Sequence, residues 1–173
     1  MPGSRAPTIT VRTADANETQ RLAAALADLL EEGDLLVLSG DLGAGKTCFT
    51  QGLGRALGVT DRITSPTFTL ANRYEGERTL NHLDVYRIEQ LSETLDLDLP
   101  ELLEDGITVI EWGEQILPVL GADLLIVRIR HGEDADHVSQ QTDCRVLEFE
   151  PRGPAWNPRV SALRALASGW SSC

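Results

Sequence analysis

The residues best suited to chemistry in this sequence lie in one octapeptide, Gly40-Asp41-Leu42-Gly43-Ala44-Gly45-Lys46-Thr47. It satisfies the pattern Gly-x-x-x-x-Gly-Lys-Thr, a loop that cradles phosphate. Glycines in such a loop adopt backbone angles closed to other residues, so successive amide N–H groups turn inward toward phosphate oxygens. A helix opening near Lys46 adds the positive end of its dipole. Lys46 is placed to reach the β and γ phosphates, and Thr47 to offer its hydroxyl to magnesium. Cys48 continues the nucleotide-binding stretch into the helix. Composition sharpens this reading. Of 15 basic residues, Lys46 is the one lysine and the rest are arginines. A lone lysine in an arginine-using chain marks a position that needs a compact point charge rather than a planar fork. A guanine-reading Asn-Lys-x-Asp motif would need a second lysine, so ATP is the expected nucleotide.

Magnesium needs a second anchor, and hydrolysis needs a group that positions water. Glu111 follows the apolar run Ile107-Thr108-Val109-Ile110. At the C-terminal end of a parallel strand it would face the phosphate crevice. Asp84 lies in His82-Leu83-Asp84-Val85-Tyr86-Arg87. Either acid also reads as a solvated strand-end carboxylate. Ser65-Pro66-Thr67 is stiffened by Pro66, which biases Ser65 toward an extended shape. Such a segment can carry a switch that senses the γ-phosphate, or be a plain turn before a strand. Trp112, beside Glu111, suits stacking on a base or a partner, and equally core packing.

The elements around these residues follow from periodicity. Residues 8–12 read as a short strand. Asp15 or Asn17 caps a helix whose Leu22, Leu26, Leu29 and Leu30 share a face, with Gly33 just past its end. Leu35-Leu36-Val37-Leu38 reads as a strand buried on both faces and runs directly into the phosphate loop. Phe49, Leu53, Ala56 and Leu57 mark the helix that follows, ended by Gly58. Residues 67–74 and 79–85 form a hairpin pattern. Residues 90–104 are leucine-rich and acidic, helical in pieces around Pro100. Residues 107–110, 124–130 and 144–150 read as strands, with a polar connection over 132–141. Pro151, Pro154 and Pro158 mark a break, and Val160, Leu163, Leu166 and Ala167 suggest a final helix. The pattern is α/β with antiparallel additions in one domain.

The chain has 173 residues and a formal charge of −12, from 27 acids and 15 bases. This acidity argues against direct nucleic-acid binding, which draws most of its affinity from neutralising phosphates, and against an anionic membrane surface. No apolar run reaches the length of a membrane span, and residues 1–7 lack a signal-peptide core. Cys48, Cys144 and Cys173 are odd in number and widely spaced, and read as reduced thiols. The expected location is the cytoplasm.

Taken together, the phosphate loop, Ser65-Pro66-Thr67-Phe68, His82-x-Asp84-x-Tyr86-Arg87 and Glu111-Trp112 resemble the TsaE (YjeE) family across residues of about 15–131. The resemblance implies an α/β P-loop NTPase, three-layered, with a parallel core sheet extended by antiparallel strands. The expected organisation is a P-loop ATPase domain over residues 1–151 followed by a C-terminal extension over 152–173, a short helix by its own spacing and outside the resemblance. The resemblance implies ATP and Mg2+ as cofactors. It implies a role in making threonylcarbamoyladenosine at position 37 of tRNAs that read codons beginning with A. The partner it implies is the TsaB–TsaD heterodimer, with tRNA met only through partners and no membrane contact. By the same resemblance Thr47 and Glu111 hold magnesium, Lys46 and Asp84 are catalytic, and Trp112 sits near the nucleotide or the partner. Ser65, Pro66 and Thr67, with His82, Tyr86 and Arg87, belong to the switch or partner region. One departure stands out. Relatives often carry an arginine after the glycine that follows the strand ending near Arg130, whereas here Gly132 precedes Glu133. Arg128, Arg130, Arg87 or a partner would have to supply that charge. Two other readings fit a phosphate loop in a chain of this length: a small-molecule kinase, and a nucleotide sensor that does not hydrolyse.

Overall fold

In a computed structural model, residues 7–66, 71–86, 104–132 and 143–170 are described. Their strands are β1 (Ile9–Thr13), β2 (Leu35–Ser39), β3 (Ala71–Tyr74), β4 (Leu80–Asp84), β5 (Ile107–Glu111), β6 (Leu124–His131) and β7 (Arg145–Arg152). The helices are α1 (Ala16–Leu26), α2 (Lys46–Ala56) and α3 (Val160–Ser168). All seven strands join one sheet in the order β1-β7-β6-β2-β5-β4-β3. At its centre β2 runs parallel to β5 and to β6, and β4 runs parallel to β5. The additions are antiparallel: β7 on β6, β1 on β7 and β3 on β4. This is the expected α/β P-loop NTPase arrangement, a parallel core extended by antiparallel strands.

The apolar runs explain the centre. Leu35 through Leu38 and all of Ile107–Glu111 are buried, as strands covered on both faces must be. Residues of alternate parity feed two cores. Leu36, Leu38, Val109, Val127 and Phe149 pack with Leu22, Phe49, Leu53 and Leu163 from the three helices. Val37, Leu83, Ile110 and Ile126 pack with Ile116, from the 3-10 segment Gly113–Val119 that follows β5. The first helix is capped as its sequence suggests. Asp15 accepts the Glu18 N–H at 2.8 Å, and the Glu18 carboxylate accepts the Ala14 N–H at 2.7 Å. Such paired bonds satisfy amides that the helix itself leaves open.

Two expectations change. Pro151 does not break the chain's strand, because β7 continues to Arg152. Its partner β1 begins only opposite Phe149, so Pro151 lies where one side of β7 is an edge, the place a sheet tolerates proline. Cys144 is not a reduced thiol. It is disulfide-bonded, while Cys48 is free. The expected hairpin is present as β3 and β4, although residues 67–70 lie outside the described set, as do the segments expected to be helical over 90–103 and polar over 133–141. Beyond β7, Trp156, Leu163 and Ala167 enter the same core as α1 and α2. Arg159 fastens this region by donating to both Asp34 carboxylate oxygens and to the Leu29 carbonyl. Among the described residues no helix is long and apolar enough to cross a membrane.

Candidate nucleotide site

The phosphate loop leaves β2 between β5 and β6, at the C-terminal edge of the parallel strands. Ligands of open α/β sheets bind in this crevice. Gly40 and Gly45 have φ of 152° and 113°, angles that favour glycine. At Gly40 the need is also steric, since a Cβ there would lie 2.2 Å from the Ile129 carbonyl oxygen of β6. The loop ends in α2, whose first turn contains Lys46, Thr47 and Cys48. Leu42 stands 90% exposed at the loop's apex.

Lys46 is folded into the site. Its Nζ donates to the carbonyls of Gly40 (2.7 Å) and Asp41 (3.0 Å), and lies 4.1 Å from the centre of the Trp112 ring. Burial pushes its pKa below the ordinary 10.5 of a lysine, and the nearby carboxylates of Glu111, Asp84 and Asp41 oppose that shift. Burial wins, so the ammonium is short of solvation and suited to a multiply charged anion.

Strand register gathers the acids. Asp84 and Glu111 are direct partners at the ends of β4 and β5. Glu111 is 2% exposed. Its Oε1 accepts the Thr47 hydroxyl at 3.2 Å and meets His82 Nε2 at 2.9 Å. Asp84 accepts the Tyr86 N–H on Oδ1 at 2.9 Å and the Ser65 hydroxyl on Oδ2 at 3.3 Å. The two carboxylates and the Thr47 hydroxyl form a set of hard oxygens. Magnesium commonly takes one or two carboxylates and completes its shell with substrate phosphate and water, so these residues fit it. No group of three or more His, Cys, Asp or Glu residues suited to holding a metal by themselves occurs among the described residues.

Trp112 is the one non-glycine residue with positive φ (62°) among those described. Its N–H donates to the Leu38 carbonyl at 3.0 Å, which extends the β2–β5 pairing to the site. Its ring lies 4.8 Å from that of Tyr86, which is 60% exposed. Trp112 is thus both packed and exposed to the site.

Most of the residues singled out from sequence therefore meet. Lys46, Thr47, Ser65, His82, Asp84, Tyr86, Glu111 and Trp112 form one connected cluster. Pro66 is buried beside Ser65, and Thr67 and Arg87 lie outside the described residues. His82, expected at a switch or partner surface, is wholly buried against Glu111. Cys48 faces the Ala16 carbonyl through its sulfur, at 3.5 Å. Burial raises its pKa above the ordinary 9.0, against lowering by the Gln20 hydrogen bond, Arg145 and Arg55.

The arginines are redistributed. Arg128 is taken up by the buried Glu150 (2.7 Å) and by Glu114 (3.4 Å), and Arg130 faces Glu148 at 3.8 Å. Among the described residues, Arg145 at the start of β7 touches the phosphate loop, its Nε donating to the Ala44 carbonyl at 2.9 Å. Sequence reasoning missed it. It lies 101 residues from Ala44, and only the antiparallel return of β7 beside β6 brings it there.

A phosphate-binding loop between a buried strand and a helix, with carboxylates presented by two neighbouring parallel strands, defines a P-loop nucleotide-binding protein. The family model described as "Threonylcarbamoyl adenosine biosynthesis protein TsaE" matches residues 13–141, and the chain belongs to that family. Relatives named tRNA threonylcarbamoyladenosine biosynthesis protein TsaE include that of Streptomyces coelicolor, 45% identical over 71% of this chain and 87% of its own. That of Treponema pallidum is 44% identical over 66% of this chain and 86% of its own. That of Bacillus subtilis is 42% identical over 74% and 82%. The crystal structure of YdiB from Bacillus subtilis matches with a TM-score of 0.75 at 31% identity, covering 92% of this chain and 95% of that one.

Proposed function

We propose that the chain is a magnesium-dependent ATPase that works with TsaB–TsaD in the cytoplasm, where threonylcarbamoyladenosine is made at position 37 of tRNAs reading codons that begin with A. The observation that carries the ATPase reading is the convergence of Lys46, Thr47, Glu111 and Asp84 at one loop. Family membership supports the pathway, and the formal charge of −12 supports a tRNA contact made through partners rather than by this chain.

Each residue then has a defined task. Lys46 exchanges the Gly40 and Asp41 carbonyls for phosphate oxygens, and the amides at the start of α2 complete the cradle. Thr47 donates its hydroxyl hydrogen bond to Glu111, so its oxygen lone pairs and the Glu111 carboxylate would be the groups to hold magnesium. When bound, magnesium neutralises charge on the β and γ phosphate oxygens. Asp84, steadied by Ser65 and the Tyr86 amide, orients the attacking water and accepts its proton.

The test is ATP hydrolysis by the purified chain, alone and with TsaB–TsaD, with Lys46→Ala as control. A partner-dependent rate that vanishes in Lys46→Ala supports the reading. ATP binding without hydrolysis in either setting replaces it with a nucleotide sensor.

A further inference from the structure

His82 is 0% exposed and sits on β4, opposite Val109 of β5. Leu80, His82 and Asp84 share one face of β4 by strand alternation. The ring has two nitrogens in different situations. Nε2 lies 2.9 Å from Glu111 Oε1, while Nδ1 is buried with no hydrogen-bond partner among the described residues. A neutral imidazole carries one proton. On Nδ1 it would be a buried donor without an acceptor, and the Nε2 lone pair would face a carboxylate oxygen. On Nε2 it completes a hydrogen bond and leaves only an acceptor unmet. The geometry therefore selects the Nε2–H tautomer.

The consequence lies on Glu111. Its Oε1 takes both the His82 and the Thr47 protons. Among the described residues nothing donates to Oε2. Two donors on one oxygen pin the carboxylate in rotation and leave the other oxygen available. We propose that His82 is a positioning residue, whose Nε2–H fixes the Glu111 carboxylate so that Oε2 is presented to the nucleotide-bound divalent cation. This rests on the reading of Glu111 and Thr47 as magnesium ligands. Partners that orient a metal ligand in this way typically change metal affinity by about 10–100-fold when removed.

The experiment uses the full chain, with Mn2+ as probe and ADP as nucleotide. Free Mn2+ is followed by electron paramagnetic resonance, and ADP binding in EDTA by calorimetry. The variants are His82→Leu, His82→Gln and Glu111→Gln. His82→Leu is expected to weaken Mn2+ binding to the ADP complex by about tenfold or more, with ADP affinity in EDTA within twofold of wild type. His82→Gln, whose side-chain amide supplies an N–H at similar reach, is expected to restore most of the loss. Unchanged Mn2+ affinity in His82→Leu overturns the proposal, as does a glutamine variant no better than leucine. Unchanged Mn2+ affinity in Glu111→Gln instead overturns the ligand reading on which it rests. Should His82→Leu fail to fold, the long-range 15N spectrum of the wild-type histidines decides together with His82→Gln. A ring protonated on Nδ1 and bare on Nε2 overturns the proposal, and a proton on Nε2 supports it.

Discussion

Replacing Asp84 by asparagine separates charge from geometry at this site. Asp84 makes two described hydrogen bonds, from the Tyr86 N–H and from the Ser65 hydroxyl. An asparagine keeps an acceptor for the Tyr86 amide. Its NH2 group donates to the Ser65 oxygen, because a hydroxyl serves as donor or acceptor. Shape and both contacts survive, so stability should stay within about 0.5 kcal/mol of wild type. The lost quantity is the proton acceptor. A positioned general base contributes about 10²–10⁴-fold, equivalent to about 2.7–5.4 kcal/mol of barrier. ATP affinity should hold or improve, since one negative charge is removed near the γ-phosphate while Lys46 remains. Single-turnover hydrolysis of radiolabelled ATP measures the rate, nucleotide displacement the affinity, and a urea midpoint the stability. A wild-type rate in Asp84→Asn would refute the base assignment. A rate loss accompanied by more than about 1 kcal/mol of destabilisation would refute the claim that geometry survives.

Gly40→Ala should lower the melting temperature more than Gly43→Ala. Both positions have positive φ, but only at Gly40 would the new Cβ meet β6 backbone, whereas Gly43 has open space. The backbone term alone is about 1–2 kcal/mol, or a fall of roughly 2–8 °C for a chain of this size; scanning calorimetry should find a fall larger than that for Gly40→Ala and within it for Gly43→Ala. The Lys46 pKa is lowered in the fold, chiefly by burial, so the unfolded chain holds more protons between the folded value and 10.5, and stability rises with pH across that window. Urea midpoints from pH 8 to 10.5 should show this rise in wild type relative to Lys46→Met, and a flat or inverted difference would contradict it. Cys48 should react with iodoacetamide at pH 8 more slowly than a free cysteine peptide, because burial raises its pKa and keeps it a thiol; a faster rate by mass spectrometry would show that the α2 N-terminus dominates instead.

The phosphate loop was legible because its chemistry is contiguous and its flanks carry their own signals, an apolar run before it and helical spacing after it. Glu111 was legible because it ends a run buried on both faces. Asp84 and His82 were visible as a motif, but their tasks depend on the parallel β4–β5 register, which the 26 residues between Asp84 and Glu111 do not announce. His82 carried a usable signal: in Leu80-x-His82-x-Asp84 alternation places it on the same side as the core leucine and the site acid. Arg145 had no such signal. Its approach to Ala44 is made by the sheet, through β7 returning antiparallel beside β6, and no local pattern encodes that neighbour. Pro151 misled for the same reason. Whether a proline ends a strand depends on which side of it has a partner, and β1 stops two residues short.

Trp112 joins energetics to function. A bulky residue at positive φ costs about 1–3 kcal/mol. Its ring contact with Tyr86 returns about 0.5–1.5 kcal/mol, and the Lys46 ammonium 4.1 Å from the ring returns about 0.5–2 kcal/mol. Cost and return are of one size. The strained backbone is thus held by the side chains of the site, by the Trp112 N–H to Leu38 bond, and by packing of Trp112 against the core around Val37 and Ile110. Lys46 is therefore shared between two duties. Its charge steadies Trp112, and the same charge, poorly solvated and close to three carboxylates, is what a phosphate would claim. An anion that draws Lys46 off the ring removes one of the contacts that keep Trp112 in place.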